Sequence, residues 1–319
     1  MQMVEHSVDV RGPKVSNGQR SPSAIGSVLR WVDPLARETV SMAFRFSSRA
    51  LGRPPSWFVR ASTMRFADMS RGDGFTRLHF EVPPFGEAAA ELYEQKELPA
   101  YATRPDPSDT ALDLLGDLLY DVVHEERDSY RFDGNVLKRL GGFSATASRW
   151  GVESLALHGH RLSQQTPPLV DAQISRCAET LRVMMPSPVR ARVAGKLDMI
   201  RASDGSFGLL LESGEAVHGV LLADGTSALR ELWNRPVVVE GRAAFRPSGS
   251  LLCLEAEGMA LATQADLFFS KVPTPRAAKL ERGEFMKPQT RTTGLGAIFG
   301  KWPGDETEEQ LLAAIQEMD

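Results

Sequence analysis

The sequence has no apolar run approaching the roughly 18 residues that span a bilayer, and its first twenty residues are polar, without the apolar centre of a signal peptide. Both absences point to a cytoplasmic protein. Cysteine is scarce: Cys177 and Cys253 stand in different segments without ligand-pair spacing, which predicts two ordinary thiols and excludes a disulfide framework. Catalytic signatures are missing as well. There is no phosphate-binding loop, no His-Glu-x-x-His and no Gly-x-Ser-x-Gly. Gly294-Leu-Gly-Ala-Ile-Phe-Gly300 has glycines like a dinucleotide loop, but the spacing is wrong and no strand precedes it. The expectation is a binding protein with no enzymatic role, no cofactor and no resident metal.

What is present is an ordinary globular composition, 42% hydrophobic and 24% charged over 319 residues, long enough for two domains plus tails. The clearest stretch is 188–262. Val189 to Ile200, Phe207 to Leu211 and Ala216 to Leu222 read as strands separated by Ser203-Asp-Gly-Ser206 and Ser213-Gly214-Glu215. A helix capped by Asp224 or Thr226 follows, with Leu229, Leu232 and Trp233 on one face; Asn234-Arg235-Pro236 ends it. Val237 to Arg246 and Leu251 to Leu261 add two strands around Pro247-Ser-Gly-Ser250. Three strands, a helix and two strands are the element order of an OB-like barrel.

The fold class predicted is therefore α+β: an N-terminal mixed α/β region, a small OB-like β-barrel, and a C-terminal tail with a short helix. The boundaries are a disordered leader at 1–22, an α+β domain at 23–165 and a linker helix at 166–187. The barrel at 188–262, a basic extended arm at 263–293 and a partner-binding motif at 294–319 follow. Within the N-terminal domain, Asp33-Pro34 has the form of a helix start. Ser62 to Met69 and Phe75 to Val82 flank Arg71-Gly72-Asp73-Gly74 as a β-hairpin. A short helix is expected over Ala88 to Gln95 and another over Arg131 to Leu140. Ser108 or Asp109 caps the strongest helix, whose stripe is Leu112, Leu115, Leu119, Val122 and Val123.

Charge is unevenly distributed. From Arg11 to Arg77 there are twelve Arg/Lys against four acids, and from Leu78 to Asp133 fourteen acids against four bases, so the two blocks are expected to attract each other. Asp109, Asp113, Asp117, Asp121 and Glu125 recur every fourth residue. Aligned carboxylates can hold Mg²⁺ for hydrolysis; a solvated acidic face needs no metal and is the reading preferred. His158-Gly159-His160 is likewise read as a surface strand carrying two histidines, without a third metal ligand at diagnostic spacing.

The C-terminal end differs from the rest. From Phe268 to Lys301 seven Lys/Arg stand against two acids, with three prolines. Thr307-Glu-Glu-Gln310 then forms a capping-box pattern, and Leu311, Leu312, Ile315 and Met318 supply an apolar face. A helix this short is unstable alone, so that face must dock on something.

The segment Phe299-Gly-Lys-Trp-Pro-Gly-Asp-Glu-Thr-Glu-Glu309 resembles the C-terminal tail of bacterial proteins that look like antitoxins for PIN-domain ribonuclease toxins. The remainder resembles a widespread bacterial family without assigned activity, through Arg104-Pro-Asp-Pro-Ser-Asp-Thr110, Leu114-Leu-Gly-Asp117 and Pro247-Ser-Gly249. The resemblance implies a protein partner whose nuclease site clusters carboxylates. Lys301 would meet that cluster, with Phe299 and Trp302 as aromatic neighbours. Pro303 keeps the contact point from being helical, Asp305 is a further partner-binding residue, and the helix carrying Leu311, Leu312 and Ile315 lies on the partner surface. The alternative is single-stranded nucleic-acid binding by the barrel, disfavoured by eight bases against nine acids there.

Overall fold

The computed structural model describes residues 2–16, 21–49, 54–94, 104–159, 168–201, 203–222 and 230–275. Its N-terminal layer is built on a five-stranded sheet with strand order β2-β3-β1-β4-β5. The strands are β1 (Val4–Arg11), β2 (Arg65–Gly72), β3 (Phe75–Val82), β4 (Ser154–His158) and β5 (Leu169–Val170). The expected leader is corrected at its most consequential point. β1 is the central strand, paired antiparallel with β3 from Val4↔Val82 to Val10↔Thr76 and with β4 from Ser7↔His158 to Arg11↔Ser154. His6, Val8 and Val10 are buried, a period-two alternation that the polar composition around it conceals.

The apolar side chains of this sheet share one core with the helices of the chain. These helices are α1 (Pro13–Ser16), α2 (Pro22–Arg45), α3 (Ser56–Ala61), α4 (Phe85–Ala88), α5 (Ala90–Tyr93), α6 (Ala111–Val123), α7 (Gly134–Gly141), α8 (Phe143–Trp150) and α9 (Ala172–Met184). Asp33-Pro34 does not start a helix. Ser21 is the N-cap of α2, Pro22 opens its first turn and Pro34 lies inside it. Burial of Val28, Trp31, Val32, Leu35, Thr39 and Val40 holds the helix through that proline, because packing outweighs the roughly 3 kcal/mol intrinsic cost. The linker helix is also corrected. α9 buries Ile174, Ala178 and Leu181 in the N-terminal core, and β5 before it pairs with β4.

The best sequence helix, α6, is capped by Thr110 rather than Ser108 or Asp109. Thr110 and Asp113 form a reciprocal capping box: Asp113 accepts from the Thr110 backbone N–H at 3.0 Å, and the Thr110 side chain accepts from the Asp113 N–H at 3.3 Å. The Thr110 hydroxyl is also 2.9 Å from His6 Nε2, tying the helix start to β1. The solvated acidic face is thereby corrected: Asp109, Asp113 and Asp121 are buried. Asp121 accepts from Ser129 Oγ at 2.7 Å and from Arg131 at 2.8 Å. The two charge blocks meet at Arg60–Glu91, 2.6 Å, whereas Arg77 turns to Asp9 in β1.

The second sheet is a closed barrel of β6 (Val189–Arg201), β7 (Ser206–Leu210), β8 (Ala216–Leu221), β9 (Pro236–Phe245) and β10 (Leu251–Leu261). β6–β7, β7–β8, β6–β9 and β9–β10 run antiparallel; β8–β10 is parallel and completes the ring. Each strand falls within a residue or two of its sequence expectation. Residues 230–232 are helical; the rest of the expected helix lies outside the described residues. Val193, Leu197, Phe207, Leu209, Val217, Val237, Val239 and Leu254 fill the interior. A Cβ on Gly219 would come within 2.1 Å of the Phe207 ring, so the bare backbone there makes room for the largest core side chain. The expected extended arm begins instead with a 3-10 turn, Gln264–Phe269, whose Asp266 bonds Arg192 of β6 at 2.9 Å. No helix among the described residues is long and apolar enough to cross a membrane.

Candidate functional site

Barrels of this kind present an outer face to the rest of the chain, and here that face is built on β8, β10 and the loops 203–205 and 246–250. α2 delivers the residues that meet it. The helix ends at Phe46, a left-handed residue (φ 55°) whose N–H bonds Met42 O at 2.9 Å. A non-glycine residue there costs about 1 kcal/mol or more. Aromatic packing offsets it: the Phe46 ring lies 5.1 Å from His218 of β8 and 5.9 Å from Tyr130.

The chain beyond Phe46 continues across the face. Ser47 Oγ donates to Glu255 Oε1 of β10 at 3.0 Å, and Arg49 reaches Glu255 Oε2 at 3.5 Å. The Cys253 thiol points at the Arg45 carbonyl, 3.8 Å away. Burial first, then Glu255, pushes that thiol's pKa up, so it is a packed group and not a nucleophile. Trp57 of α3 donates its indole N–H to Ser203 O at 2.7 Å. On the other loop, Ser248 N–H donates to Arg127 O at 3.2 Å and Ser250 Oγ to Asp128 at 3.1 Å. Val220, Leu252 and Cys253 belong to the same apolar cluster as the N-terminal helices. The seam is thus apolar at its centre and hydrogen-bonded at both loops.

A buried charge cluster lies at one end of this seam. Asp204 Oδ1 accepts from the Ser206 N–H and hydroxyl at 2.9 and 2.6 Å, while Oδ2 is buried without a hydrogen bond. Burial pushes the Asp204 carboxyl up, towards its neutral form, against the pull of Ser206, Arg201 and Arg104. Burial lowers the pKa of Arg45, which Asp204 opposes.

One face of the N-terminal sheet carries a second polar constellation. Registers place Asp68, His79, Ser7 and His158 in one cross-strand row and Ser70, Arg77, Asp9 and Ala156 in the next. Ser70 Oγ is 2.8 Å from His79 Nε2. Arg77 forks onto Asp9 at 2.6 and 2.9 Å, and His158 Nε2 reaches the same carboxylate at 2.9 Å. Burial would raise the Asp9 pKa, but the Arg77 hydrogen bond and the His158 and Arg77 charges outweigh it and hold it low. His158 is therefore tied to Asp9 by a hydrogen bond; His160 lies outside the described residues. Among the described residues no group of three or more His, Cys, Asp or Glu is placed to hold a metal ion.

No protein-family model, curated protein or solved structure matches this chain. Its function must be read from its own residues.

The partner-binding residues expected from the sequence, Phe299, Lys301, Trp302, Pro303, Asp305, Leu311, Leu312 and Ile315, all lie outside the described residues. The seam itself was missed from sequence, although two signals for it exist. Leu251-Leu-Cys-Leu254 is apolar at consecutive positions instead of alternating, as a strand covered on both faces requires, and Leu252 to Ala256 is indeed buried throughout. Phe46 and Trp57 are large aromatics flanking the helix-breaking sequence Gly52-Arg-Pro-Pro55.

Proposed function

We propose that this chain is a non-enzymatic protein-binding protein built on an OB-type barrel whose ligand face is occupied by its own N-terminal layer. The strand order, with the first three strands antiparallel in sequence and the third closed onto the fifth in parallel, supports the OB reading. In such barrels the faces of strands two and three and the loops after strands one and four take ligands. The corresponding loops here hold Trp57, Arg127 and Asp128, and β8 holds Phe46. That occupation is the observation carrying the proposal. It weighs against the nucleic-acid alternative, as does the balanced charge of the barrel, which offers little counterion release.

The partner-binding element is then the segment from Gly294, with Lys301 and Trp302 at its centre. A buried Trp anchor typically contributes ~2 kcal/mol or more, and an adjacent cation adds attraction to an acidic site. The specific form of the proposal is an antitoxin-like inhibitor of a PIN-domain ribonuclease. Its test is the activity of a PIN-domain ribonuclease encoded in the adjacent reading frame, measured with the full chain, with residues 294–319 deleted, and with Trp302→Ala. Inhibition should vanish in the deletion and mostly vanish in Trp302→Ala while the melting temperature is kept. A deletion that lowers the melting temperature by many degrees makes the tail a structural element and overturns the reading. Sub-micromolar binding of labelled single strands at about 150 mM salt, with a steep salt slope, would restore the nucleic-acid alternative.

A further inference from the structure

A cavity of about 40 Å³ lies between α2 and α6. Thr39 and Ala43, one turn apart on α2, form one wall, with Leu114 of α6 and Pro105 beside them. Arg104, Tyr130 and Arg131 complete the lining. We propose that this cavity is a binding site for a small oxyanion, either a phosphate or a carboxylate.

Size is the first argument. A single water needs roughly 10 to 15 Å³ measured in this way, so the space holds about three water-sized groups, the scale of a phosphate or acetate ion. Preorganisation is the second. Asp121 holds Arg131 at 2.8 Å and Asp117 holds it at 3.7 Å, from successive turns of α6. Those contacts engage both terminal nitrogens and orient the guanidinium, whose five N–H donors exceed the two that the carboxylates take and can also meet an oxyanion. Arg104 is anchored by donating to the Leu92 carbonyl. Apolar Ala43, Leu114 and Pro105 lower the local dielectric and strengthen any charge pairing there.

The surrounding charge is the third argument. Arg104, Arg201 and Arg45 all interact electrostatically with Asp204, the carboxyl that burial pushes towards neutrality. Arg45 Nε is buried without a hydrogen bond. Arginines thus surround a carboxyl that burial disfavours as an anion, a setting that suits an anionic ligand better than a cationic one.

The full chain is titrated with inorganic phosphate and separately with sodium acetate by calorimetry, at constant ionic strength with chloride as the reference ion. Saturable binding of at least one is expected, accompanied by a rise in melting temperature over chloride. Phosphate alone assigns a tetrahedral ligand and acetate alone a carboxylate. Ala43→Val, which fills the cavity and keeps every charge, and Arg104→Gln should each weaken binding about tenfold or more, the effect of one charged hydrogen bond. If Arg104→Gln does not fold, Arg131→Lys, which keeps the charge but loses the fork, replaces it. No saturable heat with either anion, or undiminished binding in Ala43→Val, overturns the proposal.

Discussion

Asp9 in the N-terminal sheet and Asp204 at the rim of the barrel are both almost wholly buried, 3% and 5% exposed, yet they have opposite charge preferences. Asp9 sits between Arg77 and His158 on neighbouring strands, so its anion is held. Among the described residues Asp204 accepts from the Ser206 N–H and hydroxyl, with Arg201 and Arg104 adding electrostatic support, and burial wins. The contrast extends to the two regions. The N-terminal layer joins its elements through buried polar contacts such as His6–Thr110–Asp113 and Asp121–Ser129, whereas the barrel strands are joined around a cluster of apolar side chains. Buried depth alone does not set a group's charge; the donors that the fold brings to it do.

The largest expected effect tests whether the regions are independent. Phe207→Ala empties the barrel centre and should cost ~3 to 5 kcal/mol. Because Val220, Leu252 and Cys253 share the N-terminal core, urea unfolding followed by near-UV and far-UV circular dichroism should still show one coincident transition. Two separated transitions would mean that the seam does not couple the regions.

Thr110→Ala probes the polar joinery of the other region. Loss of the cap, together with the contacts to His6 and Asp113, should cost about 2 kcal/mol in the same assay. Trp57→Phe retains the ring but leaves the Ser203 carbonyl without its indole donor. A loss of about 1 kcal/mol is expected, and no loss would show that water replaces the bond.

The smallest effects are the most specific, because their signs differ. The Asp9 pKa is depressed in the folded state, so its contribution is present above the unfolded value of about 3.9 and is lost as pH falls through the folded one. Asp9→Asn should flatten the acid limb of a stability profile. The Asp204 pKa is raised, so the folded state keeps that proton longer and stability declines as pH rises from about 3.9 through the folded value. Asp204→Asn should remove that decline. Urea midpoints measured between about pH 3 and 8 decide both, and equal slopes in the two variants would break the comparison.

The barrel was legible because its evidence is local. Strand alternation and the turn glycines Gly205, Gly214 and Gly249, all at positive φ, mark its boundaries within a few residues. The N-terminal layer was less legible because its decisive contacts are remote. Val4 to Arg11 gains its partners about seventy and one hundred and fifty residues away, so polar surroundings suggested a leader where a central strand lies. Pro34 was read as a helix start because local propensity favours it; the buried stripe from Ala24 to Phe44 overrides it.

The sequence by itself determined the five barrel strands, the amphipathic helix α6 though not its capping residue, and the two unpaired thiols, since backbone preference and apolar period act over a few residues. Tertiary structure alone decided that β1 is central, that the acidic residues of α6 serve as caps and ties, and that the barrel's outer face is filled from within the chain. Those outcomes depend on which surfaces meet. Burial changes the energy of a carboxylate or an apolar face only once its neighbours are in place.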